Sequence, residues 1–142
     1  MPELAKGSEG FNTNFLANLY NIEPHNFWFR SRNHLIIWAL QNYFPEAKNL
    51  YEIGVGTGFV LSGIESAFPH LQLYGSDIYI ERLTYAANRF KKAKLFQMDA
   101  RNIPFESEFD VIGAFDVLEH IEEDELVLSQ MHQALKKREG LF

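Results

Sequence analysis

The chain contains no cysteine, which excludes disulfides, thiolate nucleophiles and cysteine-based zinc sites. It also lacks an excess of positive charge. Its 13 Lys and Arg stand against 19 Asp and Glu, leaving −6 with neutral histidine, and a field of that sign repels polyanions, so nucleic acid is not an expected partner. The basic clusters, Arg89, Lys91, Lys92, Lys94 and Lys136, Lys137, Arg138, are expected to be solvated helix ends. No apolar run approaches the roughly 20 residues needed to cross a bilayer, and residues 1–10 lack the apolar centre of a signal peptide. A soluble, cytoplasmic protein with no membrane partner is expected. His25, His34, His70 and His132 are scattered without metal-ligand spacing, so no metal is expected either.

What is present suits a single globular domain. The 142 residues are enough for one continuous core, and 46% hydrophobic with 23% charged residues is an ordinary globular composition. Aromatic residues reach 15%, with 13 phenylalanines, which places rings in the core, in a ligand pocket, or in both.

Residues 1–22 read as a loosely packed arm or short helix. From Pro24 to Pro45 the spacing of Leu35, Trp38, Ala39 and Tyr43 predicts a helix that covers one face of a sheet. Strands are predicted at 49–53, 71–74 running on to Ser76-Asp77, 94–98 and 109–115. Helices are predicted at 59–68 and 80–90, the latter turning Leu83, Ala86, Ala87 and Phe90 inward. A last helix opens at Glu122-Glu123-Asp124, carries Val127, Leu128, Met131 and Leu135 as its stripe, and ends on Lys136, Lys137 and Arg138. The alternation of strand and helix implies an α/β fold, an open parallel sheet with right-handed crossovers and helices on both faces. Ligands of such sheets bind at the carboxyl ends of the strands.

The first strand ends Glu52-Ile53-Gly54-Val55-Gly56-Thr57-Gly58 and enters a helix. Glycine permits positive φ and close approach of backbone to ligand, and the helix start offers N–H groups to an anion. A ligand-free turn has the same composition, so the three glycines alone decide nothing. Counting from Gly54, the sixth position of a dinucleotide fingerprint is Phe59, a ring that obstructs close packing, which disfavours NAD. No Gly-Lys-Ser/Thr tripeptide of a P-loop occurs. Asp77 ends the second strand about 20 residues after the glycines, the spacing of an acid that accepts from ribose hydroxyls. It also precedes a helix it is suited to cap, and the spacing favours ribose. Asp99, ending the third strand, either accepts from an exocyclic amine or closes its own turn. Beyond the fourth strand, Asp116 and His120 stand at the binding edge, His120 as a general base or as an ordinary helix-start histidine.

Together Glu52-Ile53-Gly54-Val55-Gly56-Thr57-Gly58, Asp77, Met98-Asp99-Ala100 followed by Ile103-Pro104-Phe105, and Asp116-Val117-Leu118-Glu119-His120 resemble the class I S-adenosylmethionine-dependent methyltransferases. Within them the match is to the type 11 group, which includes quinone-biosynthesis and many small-molecule methyltransferases. The resemblance covers residues 50–142. It implies a Rossmann-like sheet in which Glu52, Gly54, Gly56 and Gly58 hold the methionine part of the cofactor and Asp77 binds the ribose, with Ile78 against adenine. Asp99 would accept from the adenine amine, Ala100 would pack and donate through its backbone, and Phe115, Asp116 and His120 would line the floor near sulfonium and substrate. The stretch Phe27-Trp28-Phe29-Arg30 with Arg32-Asn33 resembles a helical lid, dividing one domain into a lid region at 1–45 and a cofactor-binding core at 49–142.

The implied reaction is in-line attack of a small-molecule O, N, C or S on the sulfonium methyl, leaving S-adenosylhomocysteine, with His120 as the base where a proton must leave. A module that holds the cofactor without turnover, or an inactive fragment, is the alternative. The family's sheet has seven strands, whereas here residues 140–142 read as the start of a fifth. A C-terminally truncated sheet lacking its last strands is therefore expected, with the apolar fourth strand as an edge open to homodimer pairing.

Overall fold

The computed structural model describes residues 13–115 and 121–141. Helix α1 (Thr13–Ile22) runs through a 3₁₀ turn (Glu23–His25) to α2 (Phe27–Tyr43). The chain then alternates β1 (Asn49–Ile53), α3 (Phe59–Ala67), β2 (Gln72–Asp77), α4 (Ile80–Ala87) and β3 (Lys94–Gln97), and closes with β4 (Phe109–Ala114), α5 (Asp124–Ala134) and β5 (Leu135–Leu141). The five strands form one sheet in the order β3-β2-β1-β4-β5, and every pairing is parallel. From β1 the chain moves outward through β2 to β3 and then returns to the other side of β1 as β4. That reversal opens a crevice at the carboxyl ends of β1 and β4.

Burial on both faces explains the apolar strands. On one face Leu50, Leu73 and Val111 pack with Ile36 and Leu40 of α2, Leu61 and Ile64 of α3, and Leu83 and Ala86 of α4. On the other, Tyr51, Ile53, Phe109 and Ile112 pack with Val127, Met131 and Ala134 of α5. Phe109 and Val111 have the same parity yet face opposite ways, because the register shifts between them. The rings of Tyr51, Phe96, Phe105 and Phe109 form a connected cluster within the second layer, so part of the phenylalanine content is core.

Helix α2 starts where Asn26 accepts from the N–H groups of Trp28 and Phe29, a side-chain cap. Its inward face differs from the sequence expectation. Leu35, Trp38 and Tyr43 are 64%, 51% and 68% exposed, and Asn33, Ile36 and Leu40 are buried instead. The polar Asn33 takes the inner face because its Nδ2 donates to Phe59 O at 3.0 Å and seats against Gly63, where a Cβ would come within 2.7 Å of that nitrogen. In α4, Leu83 and Ala86 are buried, Phe90 packs beside them, and Ala87 faces out.

The C-terminal elements also correct the sequence reading. Helix α5 ends at Ala134, and Leu135, Lys136, Lys137 and Arg138 belong to β5 rather than to a helical last turn. Residue Leu135 pairs with Phe109, and Gly140 and Leu141 pair with Val111 and Ile112. Strand β4 is therefore interior, satisfied on both sides, and the homodimer expected from an exposed β4 edge loses its premise. Leu128, expected in the α5 stripe, is 38% exposed.

Asp110 ties this corner together. Its carboxylate accepts from Lys48 N at 2.7 Å and Asn49 N at 3.2 Å, and Lys136 Nζ lies 3.1 Å away. Burial pushes its pKa upward, but the Lys48 N–H, Lys136 and the Asn49 N–H outweigh that and hold it below the usual aspartate value. A depressed pKa stabilises the fold above the unfolded value of 3.8, and that stability is lost as pH falls through the folded value. Asp110→Ala is expected to cost about 1–2 kcal/mol at pH 7, with the difference from the native chain shrinking in unfolding measurements below pH 3.8.

Candidate functional site

The turn after β1 is held from both ends. Gly54 and Val55 donate to Ser76 O at 2.8 and 2.9 Å, and Gly58 donates to Val55 O at 2.9 Å. Gly56 donates to Asp77 Oδ2 at 2.9 Å. These N–H groups already have acceptors, one of them a carboxylate, so the turn is unlike a phosphate cradle, whose N–H groups point at the anion. Gly56 has φ +58 and a Cβ there would meet nothing within 4 Å, so it is needed for conformation and leaves its face open.

Gly58 differs. It has φ +81, and a Cβ would come within 2.8 Å of Phe90 Cζ and 2.9 Å of Ala86 Cβ. Its absent side chain lets the start of α3 lie on α4. Gly58→Ala is expected to cost about 1–3 kcal/mol from crowding, added to the left-handed strain, and to lower the midpoint of thermal unfolding.

Asp77 is buried and braces the turn. Its Oδ2 accepts from Gly56 N and its Oδ1 from Tyr79 N at 3.0 Å, with Arg82 Nη1 3.9 Å from Oδ2. Tyr79 is the N-cap of α4, so Asp77 bonds the N–H of the residue just before the helix rather than one in its first turn. Each carboxylate oxygen has a second lone pair with which to meet a ligand.

Glu52 lies beside it, 2% exposed, and its Oε2 has no hydrogen-bond partner among the described residues. Burial pushes its pKa well above the ordinary value, Arg32 pulls it back in part, and Asp77 adds to the rise. Leaving a buried carboxyl oxygen without a donor is costly.

Asp99 makes its own turn. Its carboxylate accepts from Arg101 N at 2.9 Å and from the Arg101 guanidinium at 2.6 to 3.1 Å, and Arg101 reaches on to Glu123 Oε1 at 3.7 Å. The Arg101 hydrogen bonds hold the Asp99 pKa below its usual value against the effect of burial.

These groups open on one cleft of about 830 Å³. Glu52, Gly54, Gly56, Asp77, Ile78, Asp99, Ala100 and Phe115 line it, and Gly58 does not. Asp116 and His120 lie outside the described residues. The helical arm also lines it, with Phe15, Leu16 and Leu19 of α1, Glu23, and Phe29 and Arg32 of α2. Thr57, Arg82 and Arg101 also line it and were not singled out from the sequence. Arg101 had a local signal, two residues after Asp99, but Glu23 and Thr57 are joined across 34 positions and had none. Among the described residues no group of three His, Asp or Glu is placed to hold a metal ion, and no helix is long and apolar enough to cross a membrane.

The fold is shared with solved structures. DesVI of Streptomyces venezuelae matches with a TM-score of 0.74 at 18% identity, over 92% of this chain and 56% of that one. The SAM-bound CalS10 of Micromonospora echinaspora, an amino pentose methyltransferase, matches at 0.70 and 19%, over 92% and 55%. The phosphoethanolamine N-methyltransferase 2 of Haemonchus contortus matches at 0.68 and 26%, over 78% and 27%. The chain thus spans about half the length of the first solved structures it resembles. No curated protein matches it. A family model described as "Methyltransferase domain" matches residues 51–142, and with the fold of its solved neighbours this chain belongs to the class I methyltransferase family.

Proposed function

We propose that the cleft binds S-adenosylmethionine and that the chain is the cofactor-binding part of a methyltransferase acting on a small molecule. The observation that carries this reading is the buried, unpartnered Oε2 of Glu52 in the same cleft as Asp77 and Asp99. A cleft lined by these acids suits a ligand that brings an ammonium, a ribose diol and an exocyclic amine. Glu52 would take the ammonium, and Arg32, whose charge already acts on Glu52, the neighbouring carboxylate. Asp77 would accept from the ribose through the lone pairs not used by Gly56 and Tyr79. Ile78 and Ala100 would flank the base, and Asp99, oriented by Arg101, would accept from its amine.

Bound there, the cofactor supplies an activated methyl on sulfur. The chain's own contribution is to align the two reactants and exclude water, through Phe29, Phe59 and Phe115 and a lid to which the described helices of residues 13–43 belong. The net charge of −6 favours a small-molecule acceptor over nucleic acid, and His120 is the proposed base where the acceptor must lose a proton. Calorimetric titration with S-adenosylmethionine and S-adenosylhomocysteine is expected to give one saturable site. Absence of binding by folded protein overturns the proposal, and binding without transfer of a labelled methyl leaves a cofactor-holding module.

A further inference from the structure

Arg89, expected at a solvated helix end, turns its side chain inward. Its side chain is 9% exposed and that of Glu23 is 6% exposed, with Arg89 Nη1 3.0 Å from Glu23 Oε1. The same Nη1 lies 3.1 Å from Thr57 O and 3.2 Å from Thr57 Oγ1, and Nη2 donates to Tyr20 O at 2.6 Å. The Thr57 hydroxyl donates to Glu23 Oε1 in turn. The guanidinium carbon stands 4.0 Å from the Tyr20 ring centre and 5.3 Å from that of Phe59. One cation thus joins three separate pieces of chain: the arm at Tyr20 and Glu23, the glycine turn at Thr57, and the end of α4.

An ion pair so little exposed to water adds little net stability over a well-packed apolar pair, so its use lies in what it positions. We propose that Glu23, Thr57 and Arg89 are positioning residues that fasten the arm onto the glycine turn, so that closing α1 over the cleft and retaining the ligand beneath it are one event. This rests on the cofactor reading above. Phe15, Leu16 and Leu19 line the same cleft as the glycine turn, so a ligand filling it touches both. Its release is then slowed for as long as the fastening holds.

The test uses the double variant Glu23→Met with Arg89→Met, which leaves no unpaired buried charge. Hydrogen exchange of the ligand-free chain is compared at residues 13–25 and in β1 and β4, and the dissociation rate of S-adenosylhomocysteine is measured by stopped flow. The expected result is at least tenfold faster exchange in the arm with β1 and β4 unchanged, and at least tenfold faster release with no slower association. Arm exchange as slow as in the native chain, exchange raised equally in arm and sheet, or an unchanged release rate overturns the proposal. If the native chain takes up no S-adenosylhomocysteine, the cofactor reading fails, and arm exchange alone decides whether the pair fastens the arm.

Discussion

Replacing Asp77 by alanine is expected to weaken S-adenosylmethionine binding between tenfold and a hundredfold, from about 1.5–3 kcal/mol for hydrogen bonds to a charged group. The same change removes the acceptor of Gly56 N and Tyr79 N. Leaving those donors unsatisfied costs about 1–3 kcal/mol of stability and loosens the turn against which the ligand would sit. Asp77→Asn separates the two effects. An amide keeps one acceptor oxygen, so it retains one backbone bond and turns an N–H₂ toward the other donor. It should lie between alanine and the native chain in stability while losing the charge that favours the ribose hydroxyls. Thermal unfolding read beside calorimetric titration checks both, and an Asp77→Ala chain that binds as tightly as the native one removes Asp77 from the site.

Glu52→Gln is expected to act in opposite directions on stability and binding. Burial raises the pKa of Glu52 well above 4.5, with Arg32 opposing and Asp77 reinforcing. A raised carboxyl pKa means that the folded chain holds its proton more tightly than the unfolded one. Native stability is then fully present below pH 4.5 and declines as pH rises toward the folded value. Glutamine carries no charge to desolvate, so the free variant should be more stable than the native chain at pH 7 by about 1–3 kcal/mol. That gain should vanish near pH 4.

Binding follows the other sign. An incoming ammonium requires the ionised carboxyl, so native affinity should rise with pH through the elevated value and release a proton. The glutamine variant should bind more than tenfold more weakly, about 1.4 kcal/mol, with no such dependence. Unfolding at the two pH values, and titration in buffers of different ionisation enthalpy, measure these. A native chain that binds without proton exchange would contradict the role given to Glu52.

The sequence reading went furthest where structure is local. The strand at 49–53, the glycine turn and the two acids at strand ends are short-range patterns, and the parallel sheet follows from their alternation. It went astray where a partner far along the chain decides the outcome. Leu35, Trp38 and Tyr43 have the period of a buried stripe, yet Asn33 is drawn inward by Phe59 O, and that bond turns the helix. Lys136, Lys137 and Arg138 suit a helix terminus, but β4 has backbone groups to satisfy, and β5 pairs with them. Asp99 is legible as an acid at a strand end, whereas its engagement by Arg101 depends on a side-chain geometry that spacing alone does not specify. The Glu23–Arg89 pair spans 66 positions, and no composition or periodicity announces it.

The outward face of α2 has a spectroscopic consequence. Both tryptophans of the chain stand on it, Trp28 being 66% and Trp38 51% exposed, whereas Tyr51 at the centre of the sheet is fully buried. Tryptophan emission in the folded chain will therefore already resemble that of a hydrated indole. Unfolding followed by that signal will track the helical arm and understate the loss of the sheet. The tyrosine bands of the near-ultraviolet are the better optical gauge of whether the core is intact.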